Sequence, residues 1–231
     1  MVRMDIEQVK AVFELINGQF ITDVRSLSRK VSQIKALILD WDGVFNDGAK
    51  SHETSSPFHE PDALGLNLVR YALFLILRSH PKMIILSGAR NNTATAFAKR
   101  EHFDAVYTNM KFKGDALQAI MENYALQRNE VAYLFDDVND LAVARQVGLN
   151  FMVYATDRPL FKEVVIREKL ADYISGHQGG NGGLREICEL ICGLLGNFPH
   201  VLEGRTTQNE SYRSFQFQKK DMSTRIIESE G

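Results

Sequence analysis

The sequence predicts a doubly wound α/β fold with a parallel sheet, and two patterns predict it. Short runs rich in Val, Ile, Leu and aromatics are continuously hydrophobic rather than alternating, which suits strands buried on both faces. Between these runs lie segments of helical period, and strand alternating with helix indicates βαβ units. In chain order, Ile6, Val9, Phe13, Ile16 and Phe20 fall at helical spacing and predict an amphipathic helix over 5–20, ahead of the first strand. Strands follow at 36–40, 83–87, 105–108, 131–136 and 151–154, with 172–175 as a candidate sixth. Helices are expected at 64–79, 91–102, 113–126, 139–147, 159–169 and 183–195. Past Pro199 the chain turns polar, a composition that goes with a disordered tail. Its aromatics Tyr212, Phe215 and Phe217 leave open packing on its own domain or on a neighbouring chain. The expected organisation is a helical extension over 1–33, a catalytic-type domain over 34–197 and a tail over 198–231.

Composition excludes several classes. With 27 Lys and Arg against 29 Asp and Glu, there is no global electrostatic case for nucleic acid or an acidic membrane surface. The most hydrophobic window, 64–77, is too short to span a bilayer and contains Asn67 and Arg70, so a buried helix is expected there. The N-terminal stretch lacks the pattern of a signal peptide. Cys188 and Cys192 lie one helical turn apart in an apolar run, where reduced, buried thiols are expected rather than a disulfide. The expected location is cytoplasmic.

Acidic residues fall at the carboxyl ends of the expected strands. Asp40 closes the first and Asp42 follows it, in LDWDGVFNDG, while Asp136, Asp137 and Asp140 follow the fourth, in LFDDVNDL. In open parallel sheets the crevice outside those ends is where ligands bind. Carboxylates meeting there repel one another unless a cation sits among them, and an all-oxygen ligand set suits a hard ion such as Mg²⁺. Ser87-Gly88 ends the second strand, and Lys113 opens a helix after the third. A hydroxyl, a glycine N–H and an ammonium together suit a phosphate. The combination describes phosphoryl transfer through an aspartyl-phosphate. Singly, each residue has an ordinary reading: Asp136, Asp137 and Asp140 as caps or turn formers, Ser87-Gly88 as a turn, Lys113 as a solvated lysine. Their ordered recurrence at strand ends favours the functional reading. Its sharpest element is Asp-Xaa-Asp-Gly, where Gly43 permits a turn that brings backbone close to a metal and a phosphate.

At these residues the sequence resembles the haloacid dehalogenase-like phosphohydrolases. The four motifs of that superfamily look like Asp40-Trp41-Asp42-Gly43, Ser87-Gly88, Lys113 and Asp136-Asp137-Val138-Asn139-Asp140, in order. A closer match over 34–195 adds FHEPDALGLNLV, KGDAL, DDVNDLAVARQVGL and ADYISGHQGGNGGLREICELI. It is similar to the small capless phosphatases acting on 3-deoxy-octulosonate 8-phosphate and related nonulosonate 9-phosphates. The resemblance implies a Rossmann-like core with a small β-hairpin within 46–58 and no large cap. It also implies a homotetramer in which that hairpin and a neighbour's C-terminal segment help close each active site, and a glycine-rich segment at 177–184.

Carried over by position, the resemblance makes Asp40 the nucleophile and a Mg²⁺ ligand. Asp42 becomes the general acid–base, with its carbonyl a further ligand, and Asp136 the second metal carboxylate. Asp137 and Asp140 would order the metal's water shell. Ser87 and the Gly88 N–H would hold the phosphoryl group, Lys113 would neutralise it, and Gly43, Arg90, Gly180 and Asn181 would complete the phosphate and substrate contacts. Three departures stand out: Phe135 where the family usually has Gly, Pro61 where it has Arg (with Ala63 for the next Gly), and Asn181 where it has Arg. His59, His177 and Arg90 are the remaining basic candidates for an acidic sugar. The expected function is Mg²⁺-dependent hydrolysis of a small phosphorylated metabolite, a sugar or sugar-acid phosphate, by a homo-oligomer with a tetramer favoured. The alternative is a catalytically impaired metal- and phosphate-binding module with an assembly or regulatory role. A phospho-accepting receiver domain also uses acids, a hydroxyl and a lysine, but the second Asp followed by Gly is specific to the hydrolase pattern.

Overall fold

The computed structural model describes residues 5–50 and 55–229. Helix α1 (Ile6–Leu15) opens at a capping box between Asp5 and Gln8 and buries Val9 and Phe13. A two-residue strand β1 (Gln19–Phe20) follows, then helix α2 (Val24–Val31), whose N-cap Asp23 accepts from the Ser26 N–H. The remaining strands are β2 (Ala36–Leu39), β3 (Lys82–Leu86), β4 (Ala105–Thr108), β5 (Val131–Phe135), β6 (Leu149–Tyr154), β7 (Tyr173–Gln178) and β8 (Arg225–Glu228). Among the described residues they form one sheet of order β1-β7-β6-β5-β2-β3-β4-β8. Only the β1–β7 pairing is antiparallel among them.

Within β2, Leu37 and Leu39 join the core on one face and Ala36 and Ile38 the core on the other, as side chains alternating along a doubly covered strand must. The first face is packed by α1, α2, α3 (Glu60–Leu77), α4 (Asn92–Arg100) and α8 (Gly183–Leu194). The second is packed by α5 (Lys113–Asn123), α6 (Leu141–Ala144) and α7 (Pro159–Arg167). The single helix expected over 139–147 is in fact a 3₁₀ turn, Val138–Asp140, running into the short α6. From β2 the chain runs outward to β3 and β4, then crosses back to β5 on the other side. The direction of winding therefore switches between β2 and β5, where an open parallel sheet presents its crevice.

The polar tail folds. Helices α9 (Phe198–Thr207) and α10 (Glu210–Lys220) pack on α3, burying Tyr212 and Phe215 against Tyr71, and β8 adds a parallel edge strand to β4. Of the two options that the sequence left open, the structure takes packing on the chain's own domain; Phe217 stays exposed. The β-hairpin expected within 46–58 has its centre, 51–54, outside the described residues, and its described flanks are bends and irregular chain. Among the described residues no cap domain is inserted, and no helix is long and apolar enough to cross a membrane. Cys188 and Cys192 are free and buried.

Candidate active site

Asp40 leaves the end of β2 with its N–H still bonded to the Leu134 carbonyl of β5, so the sheet itself aims this carboxylate into the crevice. Asp136 leaves β5 next to it, and the 3₁₀ turn brings Asp140 back toward both. Oxygen atoms of Asp40, Asp136 and Asp140, all buried, lie within 4.8 Å of one another. Lys113, at the start of α5 and only 4% exposed, sits between two of them: its Nζ is 2.6 Å from Asp40 Oδ1 and 2.6 Å from Asp140 Oδ1. Asp140 Oδ1 also accepts from the buried Tyr133 hydroxyl. The three acids and Lys113 line a cleft of about 480 Å³ together with Asp42, Gly43, Ser87, Gly88, Asp137 and Asn139. A larger groove, about 850 Å³, lies between α1, α2 and the end of α8, where Arg25 pairs with Glu7 at 3.2 Å.

The electrostatics are those of too many carboxylates in too little water. Burial, followed by the Asp140 charge, holds the Asp40 carboxyl well above the usual carboxylate range despite Lys113. Burial and Asp140 push Asp136 up to about 7, against Arg158. Burial works against the Lys113 charge, but Asp40 and Asp140 outweigh it and raise that group. Two positive charges close by, Lys113 and Arg158, still leave Asp40 and Asp136 with raised values. An all-oxygen set of this kind fits a hard divalent cation, which would offset the repulsion directly.

Gly43 shows why the first motif ends as it does. Its φ is +84°, and a Cβ there would lie 2.0 Å from Asp136 Oδ2. A second close approach supports the same loop: a Cβ on Gly179 would lie 2.0 Å from the Gly43 carbonyl oxygen. Gly180 packs behind Asn46 and Asp47 rather than lining the cleft. Asn181 is exposed in a turn, donating its N–H to the Gln178 carbonyl. Arg90 also lies outside the cleft lining and pairs with Glu228 of β8 at 3.3 Å. Ser87 is buried beside the cleft, its hydroxyl donating to the Ala89 carbonyl. The crevice thus brings together Asp40, Asp42, Gly43, Ser87, Gly88, Lys113 and Asp136, and leaves Arg90, Gly180 and Asn181 at its surroundings.

The departures take definite places. Phe135 is fully buried, stacked on Tyr133 in the core beneath α6, and does not line the cleft. Pro61 sits in the first turn of α3, its carbonyl accepting from Arg185. Basic groups that sequence reading passed over do line the cleft: Lys50, Lys111 and Arg158. Arg158 pairs with Asp136, and its Nε is 3.1 Å from Asp137 Oδ2. It follows β6, so the strand-end rule that found the acids would also have found this arginine.

A parallel sheet with acids gathered at its switch point, a buried lysine among them and a hydroxyl and glycine opposite defines a class: phosphohydrolases acting through a carboxylate. Comparisons with known proteins narrow it. No protein-family model matches the chain. The 3-deoxy-D-manno-octulosonate 8-phosphate phosphatase KdsC of Escherichia coli (strain K12) is 30% identical over 166 residues, which are 70% of this chain and 81% of that protein. Among solved structures, a HAD superfamily (subfamily III A) hydrolase from Legionella pneumophila superposes with a TM-score of 0.65 at 28% identity, covering 79% of this chain and 94% of that one. The Moraxella catarrhalis 3-deoxy-D-manno-octulosonate 8-phosphate phosphatase, solved with a magnesium ion, a phosphate ion and KDO, gives 0.64 at 26% identity, over 78% and 97% of the two chains. The chain belongs to the haloacid dehalogenase-like phosphatases, in the family of KdsC.

Proposed function

We propose that the protein is a Mg²⁺-dependent phosphomonoester hydrolase that forms a phosphorylated Asp40 and acts on a small sugar or sugar-acid phosphate. The observation that carries this reading is the buried Asp40, Asp136 and Asp140 cluster with Lys113 between its members. Asp40, Asp136 and the Asp42 carbonyl would hold the metal, which when bound supplies positive charge to the phosphate oxygens. Asp40 attacks phosphorus, the ester P–O bond breaks, and its electron pair leaves with the alcohol oxygen. Asp42 gives that oxygen a proton as it departs, then takes one from the water that attacks the aspartyl-phosphate. The second P–O bond breaks toward Asp40, which returns as a carboxylate with inorganic phosphate released. Lys113 offsets the repulsion between the Asp40 carboxylate and the phosphate dianion, while Ser87 and the Gly88 N–H hold the group in transfer.

An acidic substrate is supported by two facts: the named relatives act on a sugar-acid phosphate, and Lys50, Lys111 and Arg158 supply the cleft with cationic side chains. We assign the protein to the cytoplasm and to a homotetramer, in keeping with free buried cysteines and a cleft over which no cap domain is inserted among the described residues. The impaired-module alternative loses part of its motive because Phe135 is buried away from the cleft. A screen of phosphorylated sugars and sugar acids, with and without Mg²⁺, tests the reading. Turnover that needs Mg²⁺ and disappears in Asp40→Asn is expected. Intact Mg²⁺ binding with no turnover across the panel would establish the module instead.

A further inference from the structure

Beside the cleft, a small polar network surrounds one hydroxyl. Ser56 is 2% exposed, and its Oγ lies 2.6 Å from Asp42 Oδ1. Three N–H groups also reach that oxygen: the Trp41 indole at 2.9 Å, the Asn91 amide at 2.6 Å and the Asn46 amide at 3.3 Å. An indole N–H only donates, and an amide offers either a donor or an acceptor depending on its flip. Here both flips are fixed by other bonds. Asn91 Oδ1 accepts from the Ala94 N–H as the N-cap of α4, so its NH₂ faces Ser56. Asn46 Oδ1 accepts from the Gly48 N–H at 2.8 Å, and its NH₂ also donates to the Pro57 carbonyl. The two lone pairs of Ser56 Oγ are therefore taken by the indole and the Asn91 amide, with the Asn46 NH₂ a longer third contact, and its single proton has one acceptor left, Asp42 Oδ1.

We infer that Ser56 is a positioning residue for the general acid–base of this site, an inference that rests on the role proposed for Asp42. The hydroxyl commits Oδ1 as a permanent acceptor and fixes the plane of the carboxylate. Oδ2 is then the atom that carries the proton to the departing alcohol and takes one from the attacking water. It faces Lys50 at 2.7 Å, a side chain that is 37% exposed and lines the same cleft. The serine is held in turn by Trp41, the residue between the two catalytic acids. Trp41 is fully buried and stacked on Phe45 at 4.3 Å. The aromatic packing of the first motif thus reaches the proton-transfer atom through one hydroxyl.

The test uses the dependence on leaving group. Departure of an alkyl alcohol needs a proton, whereas departure of p-nitrophenolate does not, and kcat/KM reports only the steps through that departure. General acid–base catalysis contributes about 10²–10⁴-fold, so Ser56→Ala is expected to lower kcat/KM for an alkyl sugar phosphate by about tenfold or more. For p-nitrophenyl phosphate the expected change is less than about threefold, because that leaving group has no call on the acid. The ratio of the two values does not depend on the fraction of active protein, so partial unfolding does not blur it. Ser56→Thr keeps the hydroxyl and is expected to restore the ratio. Should the alanine variant fail to fold, Ser56→Cys, with a weaker donor, is read for the same ratio. Equal losses on both substrates, or a folded threonine variant as selective in its loss as alanine, would overturn the inference. Failure of the parent reading looks different: wild-type protein turns over neither substrate, or does so without Asp40.

Discussion

At the scale of single residues, the site depends on positions where one atom more or one charge fewer is decisive. Gly43→Ala adds a Cβ 2.0 Å from an oxygen of Asp136, at a φ of +84°. The loop must move or Asp136 must, and a shift of this kind in a metal's support costs about 10–100-fold in affinity or activity. A loss of that size in both Mg²⁺ affinity and kcat/KM is expected; unchanged Mg²⁺ binding by calorimetry would contradict it. Mg²⁺ itself should stabilise the fold. At a hundred times its Kd, one bound ion contributes about 2.7 kcal/mol, or about 5–10 °C in Tm for a chain of this size. Asp136→Asn should abolish that rise, and a shift retained in the variant would remove Asp136 from the ligand set. The acids, Ser87-Gly88 and Lys113 were legible in the sequence because they recur at strand ends in order. Ser56 and Asn91 were not, since only the folded chain brings residues from different loops to Asp42, and nothing periodic marks them.

At the scale of elements, strands β2 to β7 were legible because burial on both faces demands unbroken apolar runs. The tail was not, because it is tied down by polar groups. Lys219 of α10 is 7% exposed, its Nζ bonded to Asn67 Oδ1 at 2.6 Å and to Glu101 Oε2 at 2.9 Å. Arg70 of α3 donates to the carbonyls of Glu101 and His102 and to Met222 Sδ. A lysine used this way looks like part of a solvated face in sequence. Phe215 supplies the apolar part, fully buried against Tyr71 and Phe74. Phe215→Ala should cost about 3–5 kcal/mol by chemical denaturation, whereas a loss under 1 kcal/mol would mean that α10 docks through its polar bonds alone. The same contact carries a pH dependence. His80 stacks on Phe215, 5.0 Å between rings, with Arg70 and Lys219 as cationic neighbours and Asp104 as an acidic one. Burial, followed by Arg70, pushes its imidazole down to about 4 from an ordinary 6.5. Its folded value lies below its unfolded one, so the neutral ring's contribution is complete above pH 6.5 and is lost as pH falls from there toward 4. Wild type should therefore lose more stability than His80→Phe between pH 7 and pH 5. Parallel pH profiles would show that the ring is free to protonate in place.

At the scale of the whole molecule, the uncapped cleft and the folded tail bear on one question, namely what closes the site. Hydrolysis through an aspartyl-phosphate benefits from a site that sheds bulk water around the reacting groups, and among the described residues this chain supplies no cap of its own. In the resemblance, a neighbour's C-terminal segment performs part of that closure. Here the tail is engaged in its own sheet: β8 pairs with β4 from Arg225 to Glu228, and Glu228 meets Arg90 of the same chain. Closure by a neighbour would then fall to other surfaces. Three exposed apolar side chains adjoin cleft-lining residues in sequence: Phe112 beside Lys113, Val138 beside Asp137, and Leu160 two residues beyond Arg158, at 78%, 59% and 81% exposure. Apolar groups left in water around a polar site are what a second chain would cover. The expected outcome is a tetramer by analytical ultracentrifugation at micromolar concentration. Phe112→Glu with Leu160→Glu should dissociate it and raise KM while leaving each subunit folded by circular dichroism. A wild-type monomer with full turnover would show instead that the single chain needs no neighbour to close its site.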